Sequence, residues 1–153
     1  MKTKKVLFPS DFSTKGRDAL EYATRLARDS GATLLIAHVE EPPVVYGDGA
    51  FYYGVPEPDL GAVEAMLHEI KPLDPSVPYE HRLVTGPPAD AIVALAKDEG
   101  VDVIVMSSHG RTGLGRLLMG SVAEVVVRRA ECPVMIVKPR ASAPTPAPVG
   151  GAL

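Results

Sequence analysis

Val101-Asp-Val-Ile-Val-Met-Ser-Ser-His-Gly-Arg-Thr-Gly-Leu-Gly-Arg-Leu-Leu-Met-Gly-Ser-Val122 runs from an apolar, β-branched stretch through a glycine-punctuated loop into a helix that opens at Ser121. A strand that feeds a helix in this way is half of a βαβ unit. Glycine allows close approach of backbone to a ligand, and the first N–H groups of a helix have no intrahelical partner and carry the positive end of its dipole. The loop therefore reads as an anion site, most simply for a nucleotide. Ser121-Val-Ala-Glu124 also reads as a capping box, which needs no ligand. A cap alone, however, does not require Gly110, Gly113, Gly115 and Gly120 together with Ser107, Ser108 and Thr112.

Working outward, the same alternation recurs. Downstream, Val122, Val125, Val126 and Arg129 trace one helical stripe, and Pro133–Val137 is a fifth strand. Upstream, Val6-Leu-Phe8 is a short buried strand stopped by Pro9. Ser13 or Asp11 caps a helix running to Ser30, with Gly31 as its stop and Ala19, Leu20, Ala23, Leu26 and Ala27 facing inward. Thr33–Val39 is apolar on both faces, as expected of a central strand in a parallel sheet. A proline- and glycine-rich stretch over 40–58 reads as a loop. It is followed by a helix over Asp59–Ile70 with Leu60, Val63, Met66, Leu67 and Ile70 on one side. Tyr79–Val84 is a polar edge strand, and Gly86-Pro-Pro introduces a helix over Ala89–Asp98 with Ile92, Val93, Leu95 and Ala96 inward. The pattern predicts a single α/β domain over 1–139, a three-layer α/β/α sandwich on a five-stranded, mostly parallel sheet. Residues 140–153 carry too little apolar bulk to order and read as a tail.

Composition bounds the function. The chain has 153 residues, 46% of them hydrophobic, enough for one sizeable core. Its net charge of −3, with 16 basic and 19 acidic residues, argues against a nucleic-acid surface. One cysteine, Cys132, excludes an internal disulfide and suits a reducing compartment, where it serves as a small buried hydrophobe. No segment reaches the ~18 apolar residues of a membrane span, and the N-terminus lacks a secretory apolar run. The expectation is a cytoplasmic protein.

Several motifs fail. Gly115-Arg-Leu-Leu-Met-Gly-Ser121 has P-loop glycine spacing, but Ser121 stands where the phosphate-binding lysine belongs. Leu118 occupies the third glycine position of a dinucleotide fingerprint that would start at Gly113. There is no Gly-x-Ser-x-Gly elbow, and adjacency alone does not make Ser108 and His109 a nucleophile–base pair. His38, His68, His81 and His109 are dispersed, and His38 reads as a satisfied core histidine. No metal site is assigned to protein residues, although a bound triphosphate could bring Mg²⁺. Ligands of such sheets sit outside the carboxyl ends of the strands where the winding reverses. If the first strand neighbours the fourth, Pro9–Ser13 and Ser107–Ser121 face each other across that crevice.

Over residues 3–139 the chain resembles the universal stress protein A family. The resemblance is carried by Val-Leu-Phe-Pro-Ser-Asp-Phe-Ser, Ile-Ala-His-Val, Gly86-Pro-Pro-Ala-Asp-Ala-Ile, Ser-Ser-His-Gly-Arg-Thr-Gly and Cys-Pro-Val-Met-Ile-Val-Lys. The ATP-binding branch of that family is marked by Gly, two residues, Gly, nine residues, then Gly-Ser or Gly-Thr. Gly110 and Gly120-Ser121 match its second half, and Ser107 replaces the first glycine. The resemblance implies sheet order 3-2-1-4-5, with Asp11 and the Val39 backbone around adenosine and Gly110, Gly120, Ser121 and Val122 at the phosphates. Pro9 and Ser10 would shape the first loop, and Ser107 would lie along the ribose and phosphates. It also implies a homodimer formed through the last strand. Three functions fit: an ATP-binding dimeric stress-response regulator, a slow ATPase or nucleotidyl-transfer enzyme using Asp11 or His109, and a relative that acts through protein contacts without nucleotide.

Overall fold

The computed structural model describes residues 2–42, 57–109 and 119–140. Five strands, β1 (Lys5–Pro9), β2 (Thr33–Glu40), β3 (Tyr79–Thr85), β4 (Val103–Ser107) and β5 (Val134–Val137), alternate with α1 (Arg17–Ser30), α2 (Leu60–Glu69), α3 (Pro88–Asp98) and α4 (Ser121–Arg129). The sheet order is β3-β2-β1-β4-β5 and every pairing is parallel. This is the expected α/β fold. Among the described residues no helix is long and apolar enough to cross a membrane. The glycine-loop residues 110–118, most of the 40–58 stretch and residues 141–153 lie outside the described residues.

Alternation along the strands builds two cores. Val6, Phe8, Leu34 and Ile36 point to one face, where they meet Ala19, Ala23 and Ala27 of α1 and Leu67 of α2. Leu7, Leu35, Ala37 and Ile104 point to the other, against Ile92 and Leu95 of α3 and Ala123 and Val126 of α4. Both faces of β1 and β2 are therefore covered, which is why those strands read as unbroken apolar runs. The alanine stripe lets α1 lie close on the sheet. Gly31 and Gly100 end α1 and α3 in the left-handed region, at φ 67° and 62°, where a side chain would be strained.

Several local expectations fail. α1 is entered through a 3₁₀ turn, Thr14–Gly16, and neither Asp11 nor Ser13 caps it; Gly16 is its N-cap. The Asp11 carboxylate instead accepts the Ser13 N–H at 2.9 Å, closing a local turn. α2 starts one residue later than expected, capped by Asp59 on the Ala62 N–H, and buries only Leu67. Leu60 and Met66 are half exposed because α2 lies over the sheet margin, against β2 and the edge strand β3. In α4 the capping box does not form: Gly120 is the N-cap and Glu124 pairs forward with Arg128 at 2.7 Å. Arg129 is exposed and pairs with Asp90, and Ala123 takes its place in the buried stripe. Cys132 is half-buried rather than fully enclosed, and burial raises its thiol pKa.

Asp102 ties the start of β1 to β4. Its carboxylate accepts the backbone N–H groups of Lys4 at 2.7 Å and Lys5 at 2.9 Å, and these bonds hold its pKa below the usual aspartate value. Asp102→Ala should cost about 1 kcal/mol of stability at neutral pH. Because the folded pKa is the depressed one, that contribution is complete above the unfolded value of about 4 and is lost as pH falls through the folded pKa. Urea unfolding at neutral and acidic pH checks this: the gap between wild type and mutant should close in acid.

Candidate functional site

Winding reverses between β1, which leads on to β2, and β4, which lies on its other side. A cleft of about 640 Å³ opens at the carboxyl ends of these strands, within the ~300–1,000 Å³ usual for small-molecule sites. Pro9, Ser10, Asp11, Val39, Ser107, Gly120, Ser121 and Val122 all line it. Gly110 lies outside the described residues.

One wall is the turn after β1. The Ser10 N–H donates to the Ala37 carbonyl at 2.7 Å, which continues the ladder one residue past the strand. The Ser10 hydroxyl then accepts the Phe12 N–H at 3.1 Å. Phe12 has φ 64°, a left-handed conformation that is uncommon for a bulky residue. With the Phe12 and Ser13 amides engaged by neighbouring side chains, this wall offers a carboxylate and carbonyls in place of free N–H donors.

The opposite wall is built by β4 and α4. The Gly120 N–H donates to the Ser108 carbonyl at 2.7 Å, so the loop leaves and returns at one point. Glu124 N–H to the Gly120 carbonyl is the first bond inside α4, and no side chain caps the helix. The N–H groups of Ser121, Val122 and Ala123 therefore have neither an intrahelical nor a capping partner, and all three residues line the cleft. The donors of this wall thus begin at Ser121. The Gly120 amide is spent on Ser108, and what Gly120 contributes is space.

Ser107 stands at the end of β4, where its hydroxyl oxygen accepts the His109 N–H over a long 3.4 Å. That leaves its own O–H available as a donor. Ser108 and His109 do form a hydrogen bond, Oγ to Nδ1 at 2.8 Å, which adjacency had not suggested. Ser108 is only 4% exposed, so an incoming electrophile has no access to it, and the pair is structural.

Charge in the cleft is uneven. Among the described residues its lining includes Asp11, Glu40 and Glu41 but no lysine or arginine. Anion affinity on these walls must come from helix N–H groups and the dipole. No three His, Cys, Asp or Glu side chains converge to hold a metal among the described residues. Sequence reasoning missed His38, Glu40 and Met106 as lining, and named His109 only for the enzyme alternative. They stand at or just beyond the carboxyl ends of β2 and β4, so the strand-end rule applied residue by residue could have found them. Pro88 and Ile92, from α3, left no such signal.

Residues 2–138 match the Universal stress protein family model. The universal stress protein MJ0577 of Methanocaldococcus jannaschii is 30% identical, covering 88% of this chain and 94% of its own length. Its solved structure superposes with a TM-score of 0.67 at 29% identity, covering 93% of this chain and all (100%) of that one. A Thermus aquaticus universal stress protein, named for its place in the QAH/OAS sulfhydrylase 3′ region, is 35% identical over 88% of this chain and 98% of its own. A universal stress protein solved in complex with cAMP has a TM-score of 0.68 at 27% identity, covering 92% of this chain and 100% of that one.

Proposed function

Because the chain belongs to the universal stress protein family, we propose that it is an adenine-nucleotide-binding stress-response regulator, cytoplasmic and dimeric, with ATP as its ligand. The observation that carries this reading is the uncapped N-terminus of α4 facing the Asp11 turn across one cleft at the winding reversal. Adenosine would lie between the Val39 backbone and Asp11. The phosphates would take the N–H groups of Ser121 and Val122, with Gly110 and Gly120 as the further phosphate residues of the family pattern. Mg²⁺ would arrive on the phosphates. The related protein solved with cAMP supports the adenine class.

The design is one for holding rather than turning over a nucleotide. Phosphoryl transfer depends on positioned cations and an oriented nucleophile, and Ser121 occupies the lysine position of a P-loop. Mass spectrometry of small molecules released on denaturing the purified protein, followed by calorimetric titration with ATP, tests the assignment. Wild-type protein that carries no adenine nucleotide and shows no heat with ATP refutes it.

Ser107 sets the affinity only modestly. Its hydroxyl can donate to a ligand oxygen for about 0.5–1.5 kcal/mol, partly offsetting the bulk that glycine would avoid. Ser107→Gly should change ATP affinity by no more than about tenfold. A wild type that fails to bind beside a glycine variant that binds tightly would favour a protein-contact role for the native chain.

A further inference from the structure

His38 is only 4% exposed, lines the cleft from β2, and makes two contacts that converge on the turn carrying Asp11. Its Nδ1 lies 2.7 Å from the Ser10 carbonyl. A carbonyl oxygen only accepts, so Nδ1 carries the proton. Its ring stacks on Phe12, centroids 4.0 Å apart and planes inclined by 24°. Its Nε2 lies 3.4 Å from the carboxylate of Glu40, two residues along β2 and also in the cleft lining.

The turn needs such a support. Phe12 is held at positive φ, a conformation that costs of order 1 kcal/mol and persists where surroundings over-determine it. A second hollow of about 410 Å³ is lined by Phe12, Ser13 and Leu20 and shares Ser10 and Gly16 with the cleft. The turn is therefore a wall shared by two cavities, with Phe12 packed at the edge of the core under α1. We propose that His38 is a positioning residue for the nucleotide site: its Nδ1–H holds the Ser10 carbonyl and its ring holds Phe12, fixing the residue between them, Asp11, at the angle the ligand requires. This rests on the nucleotide reading of the cleft and assigns to the His38 side chain a role beyond the core.

Two variants separate the donor from the ring. His38→Phe keeps an aromatic against Phe12 and removes the donor. His38→Asn restores an N–H close to the place of Nδ1. Calorimetry with ATP, well below the melting temperature of each folded protein, should show His38→Phe binding about tenfold more weakly and His38→Asn recovering most of that loss. A merely structural histidine would lower the melting temperature of both and leave affinity alone. Equal ATP affinity in wild type and folded His38→Phe, or equal loss in both variants, overturns the proposal. If His38→Phe does not fold, nitrogen-15 NMR of the wild-type imidazole decides: a proton on Nδ1 that exchanges more slowly with ATP bound supports the role, and an Nε2–H tautomer defeats it. A wild type that binds no adenine nucleotide removes the nucleotide reading and this role together. A wild type that binds while the variants match it removes only this role.

Discussion

Replacing Gly120 with valine is expected to abolish ATP binding while leaving the fold intact. Gly120 sits at φ −58° and ψ 152°, an extended conformation that a β-branched residue adopts readily. Its N–H bond to the Ser108 carbonyl and its carbonyl bond from Glu124 are backbone contacts that the substitution keeps. What changes is the space beside the N–H groups of Ser121 and Val122, uncapped among the described residues, where phosphate oxygens would have to approach to hydrogen-bond distance. Two lost charge-assisted hydrogen bonds at roughly 1.5 kcal/mol each correspond to more than about a hundredfold in affinity. The variant should show a wild-type melting curve and no calorimetric heat with ATP. Undiminished ATP affinity in a folded Gly120→Val protein would place the nucleotide elsewhere or nowhere.

The proposed dimer is the second large effect. β5 ends the sheet, so one row of its backbone groups has no partner strand within the described chain, and an apolar edge of this kind invites a second copy. Met135 and Val137 are both on that strand, but they are not equivalent probes. Val137 is 7% exposed and belongs to the core under α1, so a charge there would damage the fold itself. Met135 is 40% exposed. Met135→Lys should remove roughly 1.5 kcal/mol of apolar burial from each copy, which together weakens the dimer about a hundredfold. Sedimentation velocity across the micromolar range checks it. A wild type that sediments as a monomer there, or a Met135→Lys protein that dimerises as tightly, rules out this interface.

Much of the fold was legible because parallel sheets buried on both faces leave a strong mark. Val6-Leu-Phe8 and Thr33–Val39 could hardly be surface strands, and Gly31 marked the end of a helix by the left-handed conformation it allows. The cleft was legible at the level of elements for a related reason: once β1 neighbours β4, the Pro-Ser-Asp turn after β1 and the residues that leave β4 and enter α4 lie together where the winding reverses. The side-chain detail was not. Ser121 and Glu124 had the composition of a capping box, yet α4 begins one residue earlier, with Gly120 as its N-cap, and Glu124 turns to Arg128. The helical spacing of Leu60, Val63 and Met66 gave a stripe, but not whether anything lies opposite it, and over the margin of the sheet little does.

By itself, then, the sequence determined the alternation of strands and helices and the two-sided burial of β1 and β2, because these follow from local periodicity and from rules of handedness that hold for any chain. Only the tertiary structure decided which donors stand free. The Gly120 amide is consumed by Ser108, the Ser121 and Val122 amides are left uncapped, and His38, which reads as a core residue, reaches the Ser10 carbonyl and the Phe12 ring. Those outcomes depend on angles and distances between residues far apart in the chain, and hydrogen bonds discriminate among such geometries on a scale that residue types alone do not encode.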